Sequence, residues 1–153
     1  MTANDDLLRP SLEKTDAAHK AIYSTTAGYL TAFIGGPFAA IAMAAINSGR
    51  LRRLARDALP LVAAIAVSVG LYAFLARPEW FGQAGLELTD RNARLGARVF
   101  ALLLFGAFWL LHKRYHRGAE IMGLEQPNPW VGGIVCVLCG SVATYLVNDW
   151  LAP

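Results

Sequence analysis

The sequence predicts an all-α fold: a polytopic membrane protein built as a four-helix transmembrane bundle. Two observations carry that prediction. Of 153 residues, 56% are hydrophobic and 16% charged, against roughly 25% charged in an average soluble domain. The apolar residues also gather into four blocks, three of them without a formal charge. A helix of a soluble globule needs a polar stripe for water, and these blocks have almost none. The same composition excludes a disordered chain. Two cysteines exclude a disulfide-rich secreted scaffold. The net charge of +3 sits between apolar blocks, as in membrane loops, and no nucleic-acid groove is expected.

Residues 1–20 read as a polar N-terminal tail of mixed charge. It is too acidic for a secretory leader and lacks an apolar core. Ser11 is a weak N-cap candidate for a helix within it. Residues 21–153 then form a single transmembrane domain, with spans near 21–47, 58–76, 96–112 and 130–148. The first block is uncharged and long enough to cross a hydrocarbon core of about 30 Å. Pro37 follows Gly35 and Gly36 inside it, so a kink near residues 33–37 is expected. The second block starts behind Asp57, a suitable N-cap, with Pro60 in the first turn, and Pro78 stops it.

The third block is shorter. Only Val99–Leu111 is free of charge, so its helix is expected to begin near Thr89 or Asp90 and to lift Arg94 and Arg98 toward the headgroups. The fourth block is opened by Asn128-Pro129 and closed by Asn148 and Asp149. Trp80, Phe81, Trp109, Tyr115, Trp130 and Trp150 lie near block ends, as an aromatic belt requires.

Orientation follows the Lys and Arg of the loops. With four spans the count is tied. The tail and second loop carry Arg9, Lys14, Lys20, Arg77, Arg91, Arg94 and Arg98. The first and third loops carry Arg50, Arg52, Arg53, Arg56, Lys113, Arg114 and Arg117. The density of the Arg50–Arg56 run tips the expectation toward cytoplasmic first and third loops.

In lipid, helices associate through small residues that let backbones approach. Gly28, Ala32, Gly36, Ala40 and Ala44 form a four-residue ladder in block one. Gly132, Cys136, Gly140 and Thr144 form one in block four. Residues four apart share a helix face, so the two ridges are expected to pack together. A homodimer contact through one of them is the rival reading.

Cys136-Val-Leu-Cys139 is the sharpest chemical motif. A redox role requires a thiolate nucleophile, a resolving thiol and a nearby quinone. In helix count and in this spacing the chain resembles quinone-linked disulfide-forming enzymes and vitamin K epoxide reductases. That resemblance implies a thiol–quinone oxidoreductase. It departs from those families in having no third cysteine to relay electrons. Read simply, Cys136 is a small ridge residue and Cys139 an apolar filler. The cores of the blocks hold no carboxylate, which argues against a proton-driven pump.

The basic residues Arg50, Arg52, Arg53, Arg56, Lys113, Arg114 and Arg117 read as lipid-headgroup anchors. His112 and His116 are spaced as a metal pair, but only Glu120 stands near as a further ligand, and no metal site is expected. No nucleotide or hydrolase signature is present, and no cofactor is implied.

The stretch Ile22-Tyr-Ser-Thr, through Gly35-Gly-Pro-Phe-Ala, to Ile46-Asn-Ser-Gly-Arg-Leu-Arg is similar to the first helix and loop of small, uncharacterised bacterial inner-membrane proteins. The resemblance covers under a quarter of the chain and implies a location, with no activity attached. The expected function is therefore that of an integral membrane protein without a catalytic site, a structural, interaction or assembly component of the bacterial inner membrane. Its expected partners are the lipid bilayer and either a second copy or another membrane protein. The alternatives are the thiol–quinone oxidoreductase on Cys136 and Cys139, and a small-molecule or lipid-binding carrier.

Overall fold

A computed structural model describes residues 22–77, 90–121 and 127–151. The tail, with its Ser11 cap, and Trp80 and Phe81 of the aromatic belt lie outside the described residues. The fold is an all-α bundle of four helices: α1 (Thr25–Arg50), α2 (Leu54–Leu75), α3 (Asp90–Ile121) and α4 (Pro129–Leu151). By length and composition each suffices to cross a membrane, α3 through its segment Arg91–Arg117; for α1 this counts all 26 residues as one run.

The first helix does not run straight. Gly36 adopts φ 75° and ψ −165°, a region essentially reserved for glycine because any Cβ would be strained there. Pro37 follows, where a helix restarts without needing its N–H. The Tyr23 N–H donates to Asn47 Oδ1 at 3.1 Å, and the Arg50 guanidinium lies 5.3 Å from the Tyr23 ring centre. In a straight helix, positions 24 residues apart would be separated by about 36 Å. The chain therefore reverses at Gly36, and residues 25–35 and 37–50 form two arms lying side by side. Sequence reasoning expects a kink here. The structure has a hairpin, because the positive φ of Gly36 turns the chain in addition to the helix bond that is lost where Pro37 has no N–H.

The other helices are arranged around this hairpin. Ring and glycine contacts pair Phe33 with Arg98 and Gly28 with Phe105, so α3 runs opposite to the first arm. His112 meets Ser48, and Ala101 shares a buried cluster with Ala40, so α3 runs with the second arm. Tyr72 of α2 stacks on Phe38 at 5.7 Å. One buried cluster joins Tyr23, Ala32, Ala40, Met43, Ala101, Phe105 and Cys136. A second joins Phe38, Ile41, Ala44, Leu61, Ala64 and Phe108. The outward faces of α2, α3 and α4 carry exposed Val62, Leu103 and Leu138, the pattern of surfaces solvated by lipid.

The turn from α1 to α2 is a Schellman motif with arginine in the usual glycine position. Arg52 has φ 54°. The Arg53 N–H donates to the Ser48 carbonyl at 2.9 Å and the Arg52 N–H to the Gly49 carbonyl at 3.0 Å, which satisfies two carbonyls at the helix end. Helix α2 then starts at Leu54 with Arg53 as its N-cap residue and no side-chain cap. Asp57 thus lies inside the first turn, not at the cap as the sequence suggests. At the start of α4, Asn128 Oδ1 accepts from the Trp130 N–H at 3.0 Å.

Candidate functional site

The hairpin brings three polar stretches to one end of the bundle: the close of α1, the start of α2 and the later half of α3. His112 Nε2 donates to Asp57 Oδ2 at 2.9 Å, and both side chains are buried. Ser48 Oγ lies 3.5 Å from the same nitrogen and is 0% exposed. An Arg53 guanidinium nitrogen is 3.9 Å from Asp57 Oδ1. Another Arg53 nitrogen donates to the Tyr115 hydroxyl, and the guanidinium carbon sits 4.9 Å from that ring's centre. Arg53 Nε is buried without a hydrogen-bond partner among the described residues.

Ser48, His112 and Asp57 are the residue types of a hydrolytic triad, but their geometry is different. A triad imidazole uses one nitrogen for the carboxylate and the other for the hydroxyl it activates. Here the carboxylate and the hydroxyl face a single nitrogen, so no proton passes from serine through the ring to aspartate. The fully buried Ser48 oxygen also has no approach for a substrate. What this cluster can do is join α1, α2 and α3 in a medium where an unpaired polar group is costly.

Sequence reasoning did not find this site. It reads Asp57 as a cap and weighs His112 as half of a metal-spaced pair with His116. The available signal was the pattern Arg53-x-x-x-Asp57, one helical turn apart, together with a histidine three residues before Tyr115 in another apolar block. Only the fold shows that these face one another. Arg53, predicted as a headgroup anchor, is held within the cluster. Arg50 lies on Tyr23, and Lys113 lies 5.5 Å from the Trp109 ring centre. Arg52, Arg56, Arg114 and Arg117 are all exposed at this end.

The small residues divide between the arms. Gly28 and Ala32 belong to the first, Ala40 and Ala44 to the second, so the ladder is not a single ridge. A Cβ on Gly28 would lie 1.9 Å from Phe105 Cζ. Gly36 is the reversal point and not a packing contact. Gly35, which lies outside the ladder, is the close one, because its Cβ would come within 3.0 Å of Val137 Cα. In α4, Gly132 faces Tyr23, and Gly140 abuts the Ala39 backbone with 2.6 Å from its notional Cβ to Ala39 N. Cys136, 1% exposed, lies between them, and Thr144 is half-buried. Helices α1 and α4 are thus packed together through Gly132, Cys136 and Gly140.

Cys136 and Cys139 are free thiols, the first buried and the second exposed. Among the described residues, no three His, Cys, Asp or Glu side chains gather as a metal ion would require. No protein-family model, curated protein or solved structure matches the chain.

Proposed function

We propose that the protein is a non-catalytic structural or assembly component of the bacterial inner membrane, one that packs with a second copy or another membrane protein. The observation that carries this reading is how its buried polar groups are used. Asn47 holds the hairpin arms together, and Asp57, His112, Ser48 and Arg53 hold the helices to one another. They are arranged for joining, not for turnover. The bacterial assignment is supported by the resemblance of the first helix and by eleven arginines against three lysines.

The hairpin also bears on orientation. Its longer arm reaches about 21 Å at 1.5 Å per residue, short of a hydrocarbon core of about 30 Å. We take α1 as re-entrant and α2, α3 and α4 as crossings. The tail, the α1–α2 turn and the α3–α4 connection then share one face. That face holds ten of the fourteen Lys and Arg, leaving Arg77, Arg91, Arg94 and Arg98 on the other. The tie in the loop charges disappears, and the positive-inside rule makes the ten-residue face cytoplasmic.

Chromosomal replacement by Cys136→Ala/Cys139→Ala, with capture of the complex from native membranes, tests the functional reading. Retained growth phenotype and an unchanged set of co-purifying membrane proteins are expected. A lost phenotype with the bundle intact would favour the thiol–quinone reading instead.

A further inference from the structure

At the end of the bundle opposite the Asp57 cluster, a cavity of about 550 Å³ opens between the hairpin tip and helices α2, α3 and α4. Its lining is unusual for a chain this apolar. Tyr72, Arg94, Arg98, Ser141, Thr144 and Asn148 all contribute to it. Arg94 and Arg98 are one turn apart on α3. Ser141, Thr144 and Asn148 are spaced three and four apart, so they form a stripe on one face of α4. Tyr72 is held by stacking on Phe38, and its hydroxyl lies 3.7 Å from the notional Cβ of Gly36. Arg98 lies 5.3 Å from the Phe33 ring centre.

Among the described residues, neither arginine has an acidic partner, and the hydroxyls and amide of this set make no hydrogen bond to another side chain or backbone group. Polar groups at membrane depth need a partner, whether protein, water or ligand. Two guanidinium groups facing hydroxyl and amide donors, with no carboxylate among the described lining residues, suit an anion with several acceptor oxygens. Arginine pairs match phosphate oxygens in geometry as well as charge. Ile34, Leu75 and Ala97 complete the wall and suit a hydrocarbon chain. Arg94 lies three residues into the crossing segment Arg91–Arg117, at the depth of lipid headgroups.

We propose that this cavity binds the phosphate of an anionic phospholipid, with Arg94 and Arg98 on the phosphate and the α4 stripe on the headgroup hydroxyls. The proposal is independent of the assembly role and of which partner that role involves.

Native mass spectrometry of the detergent-purified full chain tests it, with phosphatidylglycerol, phosphatidylcholine of the same acyl chains, and inorganic phosphate as separate probes. One phosphatidylglycerol should be retained in preference to phosphatidylcholine. Arg94→Gln/Arg98→Gln should weaken it by at least about tenfold. Arg9→Gln/Lys14→Gln, which removes the same charge from the N-terminal tail, should leave it within about twofold. If the first pair misfolds, Ser141→Ala/Thr144→Val should still weaken retention several-fold. Equal retention of phosphatidylcholine, or no loss in variants that fold, would overturn the proposal. Inorganic phosphate held as tightly as the lipid would make the ligand a free anion and overturn the lipid assignment.

Discussion

The backbone N–H of Tyr23 and the side-chain Oδ1 of Asn47 are 3.1 Å apart, although 24 residues separate them in the chain. Both groups are buried, and the bond closes the open end of the hairpin. The other end is closed covalently by Gly36 and Pro37. Asn47→Leu removes the acceptor and leaves a buried N–H without a partner, at a cost of about 1–3 kcal/mol. Spin labels at Ser24 and Gly49 should show a short, narrow distance distribution in the native chain and a broadened one in the variant. A straight helix would give about 37 Å in both.

Gly36→Ala places a Cβ on a backbone with φ 75° and ψ −165°, where non-glycine residues cost about 1–3 kcal/mol. The space around it is open, with its nearest neighbour at 3.7 Å, so the penalty is conformational and not steric. Reduced resistance to denaturation in mild detergent is the expected result. Gly49→Ala, with nothing within 4 Å of its notional Cβ and an ordinary helical conformation, serves as the neutral control.

The elements were largely legible in the sequence, and their mutual placement was not. Length, missing charge and the Asn128-Pro129 start define α4 to within a few residues. Gly35-Gly36-Pro37 announces a break in α1. A proline kink and a full reversal, however, begin with the same three residues. What separates them is Asn47 meeting Tyr23, a contact with no local signature. Gly132 and Gly140 stand out in the sequence because lipid leaves small residues as the means of close approach. Asp57 and His112 were missed because each has an ordinary local explanation, and only the hairpin brings α2 and α3 to the same end.

Asp57 and His112 are coupled across α2 and α3 at 2.9 Å. Removing either partner leaves the other buried with only a more distant neighbour, Ser48 for His112 at 3.5 Å and Arg53 for Asp57 at 3.9 Å. Asp57→Asn and His112→Leu should each destabilise the bundle by about 2–4 kcal/mol. The double variant should cost less than the two combined by about 1 kcal/mol or more. Chemical denaturation of the four proteins in one detergent gives the cycle, and strict additivity would remove the pair from the account.

Gly140 meets the backbone of Ala39, with 2.6 Å between a notional Cβ and Ala39 N. Backbone cannot step aside as a flexible side chain can. Gly140→Leu should therefore separate α4 from the hairpin tip, costing about 3 kcal/mol or more. A reduced yield of monodisperse protein is the expected outcome. Gly70→Ala, in open space on α2, should leave yield unchanged.

The hairpin decides on which side of the membrane the first loop lies relative to the tail. In a Cys136→Ala/Cys139→Ala background, single cysteines at Ala3, Gly49 and Gly82 are to be labelled with a membrane-impermeant maleimide in intact and permeabilised cells. The re-entrant arrangement predicts that Ala3→Cys and Gly49→Cys behave alike, labelling only after permeabilisation, while Gly82→Cys labels in intact cells. Opposite accessibility of the Ala3 and Gly49 positions would mean that α1 crosses the bilayer and would contradict the hairpin.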